Sequence, residues 1–355
     1  MKIIVISSCV FPVGQTGLVG YGGLEQIAWQ TAKGLAERGH SVGLVAPDGS
    51  SCPGVQIIPC GPAGTFDEEK AYGGDKKPGG YGGYWQHLPN AEVVIDHSWQ
   101  KHSYTLKKEG VFKGPILGVC HAPVASMYKT LPNIDKPCFV CISEDQKQSF
   151  EGLFNRPART CYNGVDLDLY KPLGIPRSDR FLFLARFSTI KGPLLAIEAC
   201  LKAGVGLDLV GDTSITGEPE YFAQCKSRCD GKQIRMVGSA TRGECVWWYS
   251  QAKALVHPIR DFREPLGLAP VEAQSCGTPV ASWDNGAMRE TISNGVSGIL
   301  VNSEEELLAA ILTMKDREYW KTRESDCREQ ASKFSLDRMV ARYETLCLEA
   351  LNGGW

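Results

Sequence analysis

The chain has 355 residues, enough for two ordinary domains, and its 43% hydrophobic and 22% charged residues describe a folded globular protein rather than a disordered or fibrous one. A formal charge of −2 provides no basic footprint for a polyanion, which argues against nucleic acid as a partner. The 14 cysteines are scattered, most in apolar runs as small hydrophobes; Cys138 and Cys141 form a lone Cys-x-x-Cys in a strand pattern with no second pair at zinc spacing, Cys225 and Cys229 share a helix pattern, metal or redox use is disfavoured for both, and a reducing cytoplasm suits them.

The amino terminus, Met1-Lys-Ile-Ile-Val-Ile-Ser-Ser, reads as a first strand over 2–8, because its apolar run is broken too soon by serines and Pro12 to be a signal peptide. No stretch approaches the roughly 18 apolar residues that cross a bilayer. Lys101, Lys107, Lys108 and Lys113 make the segment after Trp99 locally basic, which fits either a solvated helix face or a peripheral membrane contact. Strand one leads into a loop with Gly14, Gly17, Gly20, Gly22 and Gly23. A helix over 24–38 follows, with Leu24, Ile27, Ala28, Thr31, Ala32 and Leu35 at helical spacing, and then a strand at 41–47. The glycines depart from Gly-x-Gly-x-x-Gly, which disfavours a nicotinamide site; they either let backbone approach a ligand or form a plain surface loop.

Residues 53–90 carry little periodicity. Residues 72–85 are a glycine-aromatic segment that reads as a lid or a linker, and Tyr72, Tyr81, Tyr84 and Trp85 offer rings that can stack on a sugar. Apolar runs at 91–95, 115–120 and 137–142 end in Asp96-His97, His121 and Ser143-Glu144. In an open parallel sheet such ends share the edge at which ligands bind. His121 is the candidate among them; the plainer alternative is a histidine that simply ends a strand.

A linker beginning at Tyr170 opens the second half. A strand at 181–185 leads to Arg186-Phe-Ser-Thr-Ile-Lys191-Gly192 and a helix over 193–203. Two cations beside a glycine at such a junction suit a diphosphate, Arg as a fork and Lys as a point charge, with structural ion pairing the alternative. Short strands at 207–211, 234–238, 254–257, 279–282 and 298–301, with helices between them, make this half a second doubly wound α/β unit, and 336–351 is an amphipathic terminal helix. Within it, residues 262–279 contain Glu264, a Pro-Leu-Gly-Leu turn, a short helix carrying Glu272, and a stop at Gly277 before Pro279. The turn aims the amides of Leu266, Gly267 and Leu268 at an anion, while the two carboxylates, about 10 Å apart along the axis, suit hydroxyls at either end. A nucleotide-sugar has that layout of hexose, diphosphate and ribose. A turn residue and an exposed helix face is the bland alternative.

Together these segments resemble the retaining glycosyltransferases of family four. The resemblance spans most of the chain and is carried by Gly20-Tyr-Gly22-Gly23-Leu-Glu, Tyr162-Asn-Gly-Val-Asp166, Arg186 with Lys191, Glu264 with Glu272, Gly277-Thr-Pro-Val-Ala and Gly295-Val-Ser-Gly-Ile-Leu-Val301. It implies a GT-B fold: two doubly wound Rossmann-like α/β domains facing across a cleft, an acceptor-side domain at 1–168, a donor-binding domain at 169–335, and a C-terminal helix in 336–355 crossing back to the first.

The resemblance further implies that Glu264 holds hydroxyls of the donor sugar and Glu272 the ribose, that Arg186, Lys191 and the amides after Glu264 neutralise the departing diphosphate, that Gly22 and Gly23 approach the phosphates, and that His121 lies beside the transferred sugar. The base would sit by Gly211-Asp212 and residues 238–244. Ala185, Leu266 and Gln274 depart from the family's usual glycine, phenylalanine and methionine. Family members generally need no bound metal. The implied reaction moves a hexosyl group from a nucleoside-diphosphate sugar, with no cofactor besides that co-substrate, to a glycan, lipid or small-molecule acceptor, with retention by front-face attack. A silent nucleotide-sugar or glycan binding protein is the alternative class, and phosphorylase or epimerase chemistry a third.

Overall fold

Runs of Val, Ile, Leu and Cys without polar alternation make strands buried on both faces, which is what a parallel sheet covered by helices requires. The computed structural model, which describes residues 1–14, 22–64, 83–99, 101–124, 138–213 and 217–355, contains two such sheets. The first orders its strands β3-β2-β1-β4-β5-β6-β7, with β1 (Lys2–Ile6), β2 (Ser41–Ala46), β3 (Gln56–Pro59), β4 (Val93–Asp96), β5 (Ile116–Cys120), β6 (Cys138–Cys141) and β7 (Arg159–Thr160). The second orders them β10-β9-β8-β11-β12-β13, with β8 (Arg180–Leu184), β9 (Gly206–Val210), β10 (Ile234–Gly238), β11 (Leu255–His257), β12 (Val280–Trp283) and β13 (Gly298–Val301). Among the described residues the ladder pairs are parallel. Each sheet is doubly wound and Rossmann-like. Its strand order reverses once, between β1 and β4 in the first and between β8 and β11 in the second, and a crevice for a ligand opens beyond the strand ends at such a reversal.

The chain divides into two compact units, one built from β1, Gly22–Gly164 and Leu336–Trp355, the other from Val165–Ser335. In the first, the helix Gly23–Glu37 buries Ile27, Ala28, Ala32 and Leu35, and the terminal helix Leu336–Leu351 buries Met339, Val340, Tyr343, Leu346 and Cys347. The two helices meet at Gly34, where an added Cβ would lie 2.4 Å from Cγ2 of Val340. Arg38 reinforces the contact through Asp337 at 2.6 Å and Glu344 at 3.2 Å, and His40 through Glu344 at 2.8 Å. In the second unit Phe181, Phe183, Phe187, Leu207 and Leu209 form the centre of the core. Asp208 is fully buried there as a charge held by two guanidinium groups, Nε of Arg180 at 2.9 Å and of Arg235 at 2.6 Å.

Several expectations change on sight of the packing. Tyr84 is buried in the first unit's core, so its ring is unavailable to stack on a sugar, whereas Trp85 is exposed. Tyr72 and Tyr81, with Gly17 and Gly20, lie outside the described residues. Lys101 is 1% exposed, with its Nζ donating to the Ser98 carbonyl and 3.9 Å from Asp96, so it belongs to no basic surface. β3 and the two-residue β7 carry too little apolar alternation to be read from sequence. The Cys138 and Cys225 thiols are each pushed up to about 11 by burial, and the described residues hold no His/Cys/Asp/Glu group suited to a metal. No described helix is long and apolar enough to cross a membrane.

The Gly34 contact makes a direct test of how the terminal helix docks. Gly34→Leu lowers unfolding free energy by about 1–3 kcal/mol through overpacking, and adding Val340→Ala recovers part of the loss, as read by urea melts.

Candidate functional site

Arg186 and Lys191 follow β8, and Glu264 follows β11, so all three belong to loops on the two sides of the second sheet's reversal. Ser188 to Gly192 forms a single 3-10 turn that ends at Gly192, φ +67, whose missing Cβ would stand 2.9 Å from the Pro258 carbonyl oxygen after β11. Only glycine lets the two loops touch there. The helix Pro193–Ala203 then starts with proline at its first position, where its missing N–H costs nothing.

The contact delivers Nζ of Lys191 to Oε2 of Glu264 at 2.7 Å, with Lys191 also 5.6 Å from the centre of the Phe262 ring. Glu264 is 8% exposed. Burial pushes its carboxyl up, but Lys191, His257 and Arg186 together outweigh that and hold it below the ordinary glutamate value. From behind, the Gly286-Ala287 turn grips its backbone: the Ala287 amide donates to the Glu264 carbonyl at 3.0 Å, and a Cβ on Gly286 would stand 2.3 Å from that oxygen. Asn285 Nδ2 donates to the carbonyls of Arg260 at 2.7 Å and Phe262 at 3.1 Å, fixing the approach to Glu264. His257, at the end of β11, is buried, with its imidazole pressed down to about 4 by burial, so it is neutral at pH 7.

Glu272 has a different environment. Tyr249 donates its hydroxyl to Oε2 of Glu272 at 2.9 Å, and Tyr170 and Arg242 also act on the carboxyl, yet burial prevails and raises it above the ordinary value. Leu266 is buried, and Gly267, φ +81, precedes the helix Leu268–Ser275, whose first amides have no partner within the helix. Gln274, where methionine was the expected residue, is fully buried and joins this helix to the next by donating to the carbonyls of Pro270 at 3.0 Å and Thr291 at 2.9 Å. A cavity of about 130 Å³ opens beyond β8, β9 and β10, lined among others by Ala185, Arg186, Gly211, Asp212, Ser239 and Cys245. Gly211 is obligatory, since a Cβ would sit 1.9 Å from the Ala185 carbonyl oxygen.

In the other unit, Gly22 and Gly23 open the helix Gly23–Glu37, the Gly22 carbonyl accepting from Gln26 at 3.0 Å. His121 follows β5, its Nε2 2.8 Å from Nδ1 of His97, and burial with the Lys101 charge presses it down to about 3. Sequence reasoning placed His97 among the polar strand ends without selecting it, and it missed Tyr249, His257 and Gly286. Asn285-Gly286 is a legible turn signal, but Tyr249 and His257 sit in apolar runs that read as core.

Two doubly wound parallel sheets, each with a ligand crevice at its strand-order reversal, are the architecture of the known proteins this chain resembles. Residues 21–169 match the family described as Glycosyltransferase Family 4, and residues 170–334 match Glycosyl transferases group 1. A D-inositol 3-phosphate glycosyltransferase of Catenulispora acidiphila is 26% identical over 99% of this chain and 97% of its own. The solved sucrose-phosphate synthase of Thermosynechococcus elongatus shares the fold with a TM-score of 0.79 at 19% identity, over 99% of both chains, and Anabaena HepE in complex with UDP-glucose with 0.75 at 20%, over 98% of this chain and 99% of its own. The chain belongs to the family-four glycosyltransferases of the GT-B fold.

The two glutamates differ in how they respond to pH. A lowered carboxyl stabilises the fold above its unfolded value and loses that contribution as pH falls through its folded value. Glu264→Gln therefore costs about 1–3 kcal/mol at neutral pH, the wild-type advantage fading on acidification. Glu272 has the opposite sign: its charge opposes folding above the ordinary value, so Glu272→Gln leaves neutral-pH stability equal or higher. Melts of both variants across the acid range read the contrast.

Proposed function

We propose that this enzyme is a retaining, metal-independent hexosyltransferase that uses a nucleoside-diphosphate sugar. The observation that carries the reading is the Lys191–Glu264 pair at the sheet reversal, with Arg186 of the same β8 loop lining the cavity beyond β8, β9 and β10. An ionised carboxylate only accepts hydrogen bonds, so Glu264 suits the hydroxyls of the donor sugar. Lys191, Arg186 and the amides of Leu266, Gly267 and Leu268 supply positive charge to the diphosphate, in the role a metal ion would otherwise fill. Glu272 takes the ribose, and the cavity beside Gly211 takes the base. From the first unit, His121 acts on the transferred sugar, and Gly22 and Gly23 admit the phosphates to the helix start.

The bond from the anomeric carbon to the phosphate oxygen breaks with its electron pair passing to the diphosphate. The acceptor hydroxyl oxygen bonds to that carbon from the same face, and its proton goes to the leaving phosphate oxygen. Charge grows on the leaving group as this happens, and cations already in place lower the barrier without reorganising. The acceptor belongs to the small polyols and sugars, on the strength of relatives named for D-inositol 3-phosphate.

A thermal-shift screen of nucleotide-sugars tests the donor: the true donor at a hundred times its Kd adds roughly 2.7 kcal/mol of stability. With that donor, Lys191→Ala and Glu264→Ala each lower kcat by at least about a hundredfold while remaining folded. Near-normal turnover in both, or saturable binding without any transfer or hydrolysis by the wild type, overturns the reading.

A further inference from the structure

The contact between two ring nitrogens in the first unit holds chemical information that the charged residues do not. Nδ1 of His97 and Nε2 of His121 are 2.8 Å apart, and their rings stack with centroids 5.1 Å apart. Such a contact is a hydrogen bond only when one ring holds the proton between them and the other offers a lone pair. Both imidazoles are neutral at pH 7: burial, His121 and Lys101 hold His97 well below the ordinary histidine value, and burial and Lys101 press His121 down to about 3.

The choice of donor falls on the second nitrogen of His97. His97 is fully buried beyond β4, edge-on to the Tyr343 ring at 5.6 Å, and its Nε2 has no hydrogen-bond partner among the described residues. Were His121 the donor, neutral His97 would carry its proton on that Nε2, an N–H sealed from water with nothing to accept it. With His97 as donor, Nε2 is only an unused lone pair. Buried N–H groups without an acceptor are the rarer of the two.

We propose that His97 is a positioning residue for His121: it carries its proton on Nδ1, donates to Nε2 of His121, and holds that ring in one orientation with its own proton on Nδ1. His121 then presents a fixed N–H donor, suited to an oxygen of the sugar, and its remaining lone pair is occupied. It takes no proton from the acceptor hydroxyl during transfer. What the donor does rests on the site reading proposed above; the tautomer does not.

Long-range ¹⁵N–¹H spectra of the full chain with labelled histidine read the tautomers without substrate, the six histidines being few enough to assign with His97→Asn and His121→Asn. Both rings are expected as neutral Nδ1–H forms; an Nε2–H form of His121, or a charged ring at pH 7, overturns the proposal. Hydrolysis of UDP-glucose gives the second readout. His97→Asn keeps a donor amide at the Nδ1 position and holds kcat within about tenfold, whereas His97→Leu and His97→Asp, which cannot donate, lower it by about a hundredfold at little change in KM. Rescue by Asp instead of Asn, or wild-type kcat in a folded Leu variant, also overturns it. A His121→Ala variant with full kcat, or a wild type inert toward every nucleotide-sugar of the donor screen, sinks the site reading instead, and the spectra still decide the tautomer.

Discussion

A carboxylate almost out of water stays ionised only when opposite charge reaches it at hydrogen-bond distance, and Glu264 meets that condition through Lys191 at 2.7 Å. The demand propagates outward. Lys191 arrives from beyond β8 and Glu264 from beyond β11, strands that pair directly because the sheet order reverses between them. The two loops come close enough only because Gly192 has no side chain facing the Pro258 carbonyl, and Glu264 is held from behind only because Gly286 has none. Substituting either glycine would move one member of the pair, so these backbone positions serve the charge as directly as the charged residues do.

The second acid shows how environment divides similar residues. Glu272 lies on the same short segment as Glu264, yet it faces phenols in place of an ammonium, and its carboxyl is raised while the other is lowered. A bound anion placed near Lys191 and Arg186 would compete with Glu264 for the same cation.

Departures from the family pattern are absorbed locally. Gln274 lies in the core where a methionine would pack, and its amide finds two carbonyls, which satisfies its donors and joins two helices. Ala185 meets the obligatory Gly211 through its backbone carbonyl and is among the residues lining the cavity.

By itself the sequence determined the two doubly wound halves, since uninterrupted apolar runs alternating with helical periodicity admit little else, and it singled out Arg186, Lys191, Glu264 and Glu272, since charges beside glycine and proline at strand ends are visible without coordinates. It left open whether Lys191 and Glu264 touch, because that depends on strand order, and strand order is set by packing between elements far apart in the chain. Tertiary structure alone turned Lys101 and Tyr84 inward and paired His97 with His121. Apart from His121, each of these residues looks ordinary among its neighbours in sequence. Its chemistry comes from burial, which strips away water and makes the nearest partner, seventy or twenty residues distant, decide its charge and its proton.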